Sequence, residues 1–144
     1  MIQDVKRFML AADCTVDRHN PKQASLYLGL CAEELAEALE AIGGTPAASR
    51  MVNALADALK QHDGSQLEDL THAQRVAILD AAIDMAWVAI GLAYSVGGDA
   101  ECAAIEVAAS NMSKCVDGKM VRDANGKVVK PASFRKPVLG PLVK

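Results

Sequence analysis

The spacing of apolar and polar residues predicts helices over most of the first 116 residues. Residues 2–13 are expected to form a short amphipathic helix, because Val5, Phe8, Met9 and Ala12 fall on one helical face. Cap and breaker residues mark the ends of four further helices. These are predicted at 21–42 (after Asn20 and before Gly43), at about 46–62, at about 72–96, and at about 100–116 (after Asp99).

The chain changes character after about residue 117. Two short runs, 119–122 and 127–130, flank the segment Asp123–Gly126, which is typical of a small β-hairpin turn. Prolines at 131, 137 and 141 favour an extended end. The pattern predicts an all-α fold: a four- to five-helix bundle with a small C-terminal β-hairpin. We expect one domain, 1–144, with the hairpin and tail at about 118–144.

Two carboxylates interrupt the most apolar stretch of the chain. Asp80 and Asp84 lie within residues 76–90, which are otherwise uncharged and predict a buried helix. Residues four apart share a helical face, so the two carboxylates are expected to lie together. Burying such charges costs several kcal/mol, on the order of the usual penalty for ions in proteins, unless a metal or a basic side chain compensates. A divalent cation bound to an anionic substrate suits oxygen ligands of this kind.

A second acidic cluster lies in the helix predicted at 21–42. Glu33, Glu34, Glu37 and Glu40 recur at spacings of three and four, so that several share a face. Together with Asp80 and Asp84 they could form an oxygen-lined metal site in a bundle core. Alone, the glutamates are equally typical of a solvated helix face.

Composition narrows the range of functions. Of the 144 residues, 51% are hydrophobic, and the net charge of −3 argues against general nucleic-acid binding. The four cysteines form no CxxC pair, which predicts buried free thiols in a reducing compartment. The longest uncharged apolar stretch, 85–98, is too short to span a bilayer. These features predict a soluble, cytoplasmic protein with no membrane or nucleic-acid partner.

Several motifs resemble those of the MazG-like all-α nucleoside triphosphate pyrophosphohydrolases, and the tail resembles the phage-type branch. Glu33-Glu34-x-x-Glu37 is similar to the first half of the family signature, and Asp80-x-x-x-Asp84 stands where the family has Glu-x-x-Asp. The resemblance extends through Ser110-Asn-Met-Ser-Lys114 and the turn at 117–119. The chain departs from the pattern at Ala81, which widens the second acidic pair, and in the 46–62 insert, which could serve as an oligomer contact or a lid.

The resemblance implies hydrolysis of a (deoxy)nucleoside triphosphate to the monophosphate and pyrophosphate, with a purine such as dGTP favoured. Clustered Mg²⁺ or Mn²⁺, with more than one ion per site, would neutralise phosphate oxygens and supply hydroxide. The implied ligands are Glu34, Glu37, Asp80 and Asp84, and the implied catalytic residues are Glu33 and Glu34. Glu33 would be a further ligand or would orient the attacking water. The implied phosphate-binding residues are Asn111, Lys114, Lys127 and Lys130. The sequence does not indicate which residues hold the base.

The resemblance also implies a homodimer or homotetramer acting in nucleotide pool control, in the host cytoplasm if a phage encodes it. Three alternatives stay open. Within the same class, the substrate could be phosphoribosyl-ATP or dUTP. From another class, the chain could be a non-catalytic helical module whose acidic face binds a basic protein. Asp80 and Asp84 could also be paired with lysine or arginine from another segment.

Overall fold

The computed structural model describes residues 1–43, 46–122 and 128–144, and about 66% of these residues are helical. Within these residues there are five α-helices: α1 (Ile2–Ala11), α2 (Pro21–Ile42), α3 (Pro46–Gln61), α4 (His72–Ser95) and α5 (Ala100–Met112). Short 3-10 turns lie at Ser65–Leu67 and Gly140–Leu142, and two strands, β1 (Cys115–Val116) and β2 (Lys119–Met120), pair near the C-terminus. The predicted all-α fold with a small C-terminal hairpin is confirmed.

Local cap residues set the helix ends as the sequence predicts. The side chain of Asn20 accepts the backbone N–H of Gln23 at 3.0 Å, and Pro21 occupies the first turn of α2. Gly43 ends α2 with a left-handed φ of 74°. Asp99 caps α5 by accepting the N–H of Cys102 at 3.0 Å. These bonds satisfy backbone groups that a helix end otherwise leaves unpaired.

The end of α5 and the position of the hairpin differ from the prediction. The helix ends at Met112 rather than 116, because Cys115 and Val116 pair antiparallel with Met120 and Lys119. The turn between the strands, Asp117-Gly118, has positive φ angles of 51° and 81°. Two such residues in succession match the twist of a tight hairpin.

The hairpin turn predicted at Asp123–Gly126 lies outside the described residues. The chain on either side of it is paired, since Arg122 forms an antiparallel bridge with Val128. In addition, the N–H of Val129 donates to the oxygen of Val121 at 2.9 Å. The flanking pairing agrees with the predicted hairpin.

The described residues divide into two compact units, and one of them is residues 17–71. In it, α2 packs against α3 through small side chains. Ala36 and Ala56 are fully buried, and the buried hydroxyl of Ser25 donates to the oxygen of Leu59 at 2.8 Å. A Cβ on Gly29 would lie 2.6 Å from Cγ of Lys60 and 2.8 Å from the oxygen of Ala56. The two helix backbones therefore approach closely at Gly29.

The other unit comprises residues 1–16 and 72–144. The guanidinium of Arg122 donates to the oxygen of Ala12, which attaches the hairpin to the end of α1. The C-terminal residues lie along the α4–α5 turn. There the N–H of Asp99 donates to Leu142 at 2.8 Å, and the N–H of Lys144 donates to Gly97 at 3.1 Å.

Helix α4 is exposed along nearly its whole length. It has no buried residue, and Trp87, Val88 and Leu79 are 78%, 65% and 63% exposed. The predicted helix is confirmed, but the prediction that it is buried is wrong for the single chain. Its apolar residues lie on every side rather than in one stripe, so a single neighbouring helix such as α5 cannot cover them. By length and composition alone, this 24-residue helix is also apolar enough to cross a membrane.

Candidate functional site

The glutamates of α2 divide between two environments. Glu33 is half-buried, and its Oε1 accepts a hydrogen bond from Nζ of Lys60 on α3 at 2.9 Å. Lys60 also pairs with Asp57 at 3.1 Å. The hydrogen bond to Glu33 is the main reason that the pKa of Lys60 is raised. The predicted catalytic residue Glu33 therefore has a fixed cationic partner within its own unit.

Glu40, two turns further along α2, also binds α3. Its Oε1 accepts from the hydroxyl of Ser49 at 2.7 Å and from the side-chain amide of Asn53 at 3.2 Å. The predicted metal ligands Glu34 and Glu37 are exposed, as is Glu40. Two glutamates of the acidic cluster, Glu33 and Glu40, thus bind side chains of α3.

Asp80 and Asp84 lie one turn apart on α4, and both are exposed. Four residues of helix place them about 6 Å apart along the axis, on one face. Among the described residues, no basic side chain pairs with either of them. This part of the chain therefore offers no support for the alternative that Asp80 and Asp84 form a structural ion pair with lysine or arginine.

The acidic residues fit a hard divalent cation in their chemistry. Pairs of carboxylates with access to water suit Mg²⁺, which keeps several water ligands and takes one or two carboxylates from the protein. Over residues 1–43, 46–122 and 128–144, no three His, Cys, Asp or Glu side chains form a group that could hold a metal. Glu34 and Glu37 lie in one unit, and Asp80 and Asp84 lie in the other. The four-carboxylate site remains a prediction.

Two of the four predicted phosphate-binding residues lie at one phenyl ring, and a third is hydrogen-bonded to one of them. The ammonium of Lys114 donates to Oδ1 of Asn111 at 2.9 Å and lies 5.9 Å from the ring centroids of both Phe8 and Phe134. The ammonium of Lys130 lies 5.0 Å from the centroid of Phe134. These distances are within the range of cation–π attraction. The fourth residue, Lys127, lies outside the described residues.

An anchor for the tail on α5 was not predicted. The guanidinium of Arg135 binds Glu106 with Nη1–Oε1 at 2.6 Å and Nη2–Oε2 at 3.4 Å. The N–H of Val138 donates to the same carboxylate at 3.0 Å. The Arg135 hydrogen bond, followed by the Val138 bond, lowers the pKa of Glu106. The sequence does not single out this pair, because α5 carries two acids and the tail carries several bases.

Two serines hold the backbone of the same arginine. The buried hydroxyl of Ser110 donates to the oxygen of Arg135 at 2.8 Å, and the N–H of Arg135 donates to the hydroxyl of Ser113 at 2.9 Å. Ser113 in turn donates to the oxygen of Ser110 at 2.7 Å. The Ser110–Lys114 motif therefore has a structural role in addition to the ligand role that the sequence resemblance implies.

The cysteines are all free, as predicted, but they are not buried. Cys31 and Cys102 are exposed, and Cys14 and Cys115 are half-buried. The hydrogen bond to Asp99 raises the pKa of the Cys102 thiol. A raised pKa disfavours the nucleophilic thiolate.

Comparison of the chain with protein-family models, with curated proteins and with solved structures finds no match. The motifs and the geometry of the side chains are therefore the grounds for a functional assignment.

Proposed function

We propose that the protein hydrolyses a (deoxy)nucleoside triphosphate to the monophosphate and pyrophosphate, with Mg²⁺ or Mn²⁺. A purine deoxynucleotide such as dGTP is the favoured substrate, and nucleotide pool control is the favoured role. Within this class, phosphoribosyl-ATP and dUTP are the alternative substrates. The single observation that carries the proposal is the exposed pair Asp80 and Asp84, which lies on an otherwise apolar helix without a basic partner among the described residues.

The chemistry requires negative charge on the protein and positive charge around the phosphates. Bound divalent ions would neutralise phosphate oxygens and lower the pKa of a coordinated water. Glu34, Glu37, Asp80 and Asp84 would bind these ions through their carboxylates. Glu33 would orient the attacking water, and its bond to Lys60 would hold the carboxylate in one position.

Lys114 and Lys130 would bind the phosphate groups. An ammonium suits a phosphate as a compact charge with several donors. Asn111 would position Lys114 through the hydrogen bond between their side chains. In the products, one oxygen from water stays on the α-phosphorus, and the β and γ phosphates leave as pyrophosphate.

We further propose that the active form is a homodimer or homotetramer in the cytoplasm. Helix α4 exposes large apolar side chains on all sides, and helices of that kind are normally buried. A second copy of the chain would cover α4 with an apolar surface of the same composition.

Pyrophosphate release across all common ribo- and deoxynucleoside triphosphates tests the proposal. We expect turnover of at least one triphosphate in Mg²⁺ or Mn²⁺, its loss in EDTA, and its recovery when the metal is restored. Asp69→Asn removes an exposed carboxylate outside the proposed site and should not change the rate. Hydrolysis that continues undiminished in chelator would contradict the role of the metal.

The exposure of α4 also favours the second candidate, a non-catalytic helical module that binds another protein. The sequence predicts that such a module would bind a basic protein through its acidic face. Such a module would release no pyrophosphate from any triphosphate, while its binding to a basic protein would weaken as salt increases. The substrate screen therefore separates the two candidates.

A further inference from the structure

The C-terminal tail is held at one residue by a dense set of bonds. Glu106, Ser110 and Ser113 form one stripe along α5, and all three bind Arg135. The two serines hold the backbone of Arg135, and the carboxylate holds its guanidinium. Since both ends of Arg135 are bound, its backbone position and its side-chain direction are both fixed relative to α5.

Fixing Arg135 also fixes the residue before it. Phe134 closes a turn by donating its N–H to the oxygen of Pro131 at 2.9 Å, and its ring lies next to Lys114, just after the end of α5. The ammonium of Lys130, at the start of the same turn, lies on this ring as well. The ring thus contacts one lysine that follows α5 and one lysine from the tail.

From this arrangement we infer that Glu106, through its bonds to Arg135, is a positioning residue for a polyphosphate subsite formed by Lys114 and Lys130 around Phe134. Both ammonium groups lie within 5.9 Å of the ring centroid, so one chain of phosphates could contact both. The ring attracts each ammonium to its face, and an anion that contacts both would offset their like charge. The choice of a polyphosphate ligand rests on the proposed function.

The surroundings show why the tail needs such an anchor. Residues 128–144 contain no α-helix or paired strand longer than an isolated bridge, apart from the short turn at Gly140–Leu142. A segment of this kind has few backbone bonds of its own, so its position depends on side-chain contacts. Without the bonds to Arg135, Phe134 and Lys130 would be free to move away from Lys114.

The test measures binding of inorganic tripolyphosphate by calorimetry, in EDTA, so that neither metal nor turnover contributes. Lys130→Ala should weaken binding about tenfold, as expected for a charged contact to phosphate. Glu106→Gln keeps the size of the side chain but removes its charge, and it should weaken binding severalfold. The double variant should bind no more weakly than Lys130→Ala, because the anchor acts through that lysine.

A spectroscopic signature separates positioning from general loss of structure. The ring current of Phe134 should shift the εCH₂ resonances of Lys114 and Lys130 in the wild-type protein. Glu106→Gln should move the Lys130 resonance toward the value of a free lysine while the rest of the spectrum is retained. Glu101→Gln, on the same helix but more than one turn away, is the matched control and should change neither the shift nor the affinity.

Three results would overturn the inference: no binding of tripolyphosphate by the wild type, unchanged affinity in Glu106→Gln, or additive losses in the double variant. Reversal of the pair in Glu106→Arg/Arg135→Glu should recover part of the binding, and a failure to recover it would also count against the role of the pair. If tripolyphosphate binds as described but no nucleotide is hydrolysed, the subsite stands and the proposed hydrolase function fails.

Discussion

At the scale of single residues, Asp80 and Asp84 have no partner on the described protein that explains their place in an apolar helix. Surface acids are ordinary on helices with a polar face, but α4 has no such face. Two like charges one turn apart also repel each other, so the pair weakens the helix slightly rather than supporting it. Among the described residues no basic side chain offsets this cost, which is the ground for the metal-binding role proposed for the pair.

Asp84→Asn should therefore abolish turnover and leave the fold intact. The amide keeps the shape of the side chain but loses the charge that binds a divalent ion. Changing a residue that only supports a metal ligand commonly lowers metal affinity or activity about 10- to 100-fold. Loss of a direct ligand should therefore lower activity about 100-fold or more. In the absence of metal, the variant should unfold at the same or a higher temperature, since relief of the repulsion is worth about 0.2–0.5 kcal/mol.

Paired measurements of kinetics and melting without metal check this prediction. Asp69→Asn, another exposed aspartate, is the control and should keep its activity. If Asp84 instead belonged to a buried structural ion pair, its loss would destabilise the protein by about 3–5 kcal/mol. A fall in melting temperature of that size would argue for a structural role.

At the scale of elements, local signals in the sequence were sufficient to place the helices. Asn20 with Pro21, Gly43 and Asp99 act on backbone groups within a few residues, so their effects can be read directly from the chain. The end of α5 was misplaced because Cys115 and Val116 pair with a strand, and that pairing competes with continuation of the helix. The presence of each helix was predictable, whereas the end of α5 depends on the turn at Asp117-Gly118.

Contacts between elements could not be predicted from the sequence in the same way. Glu106 and Arg135 are 29 residues apart, and no periodic pattern links a helix to an irregular tail. Lys60 and Glu33 are 27 residues apart, and the pair depends on how α2 and α3 pack. The sequence predicted the acids of α2 and the Asn111–Lys114 motif as parts of the candidate site. The side chains that contact them could be identified only from the structure.

The packing of α2 on α3 gives a test at this scale. Gly29→Ala would place a Cβ 2.8 Å from the backbone oxygen of Ala56, which cannot move unless the helices separate. Overpacking costs about 1–3 kcal/mol, against a gain in helix propensity of about 1 kcal/mol. We therefore expect a net destabilisation of up to about 2 kcal/mol, measured by chemical denaturation. In α4, Gly91 has nothing within 4 Å of an added Cβ, so Gly91→Ala should instead stabilise the chain by about 0.5–1 kcal/mol. Changes of the same sign in both variants would contradict the close approach at Gly29.

At the scale of the whole molecule, the exposed apolar residues of α4 could be covered by a second copy of the chain, by another protein or by a membrane. The length and composition of α4 satisfy the requirements of a membrane span. However, Asp80 and Asp84 lie near the middle of the helix, where each charge would cost about 2.5–3.5 kcal/mol in a bilayer. In an oligomer, the face carrying these carboxylates can stay open to water and metal while the other faces are covered. This argument favours self-association.

We expect the protein to be a dimer or tetramer in detergent-free buffer, as measured by light scattering after size-exclusion chromatography. A stable interface buries about 800 Å² on each partner, and the apolar side chains of α4 suit such a surface. The single tryptophan, Trp87, lies on α4 and is 78% exposed in the chain, so its fluorescence should shift to the blue as the protein concentration rises.

Ile83→Asp should produce monomers, because a third carboxylate on α4 would have to be buried without a partner. The control Leu10→Asp changes a side chain of nearly equal exposure, 57% against 58% for Ile83, and should leave the mass unchanged. A monomeric wild type that floats with lipid vesicles would contradict self-association and place α4 in a membrane.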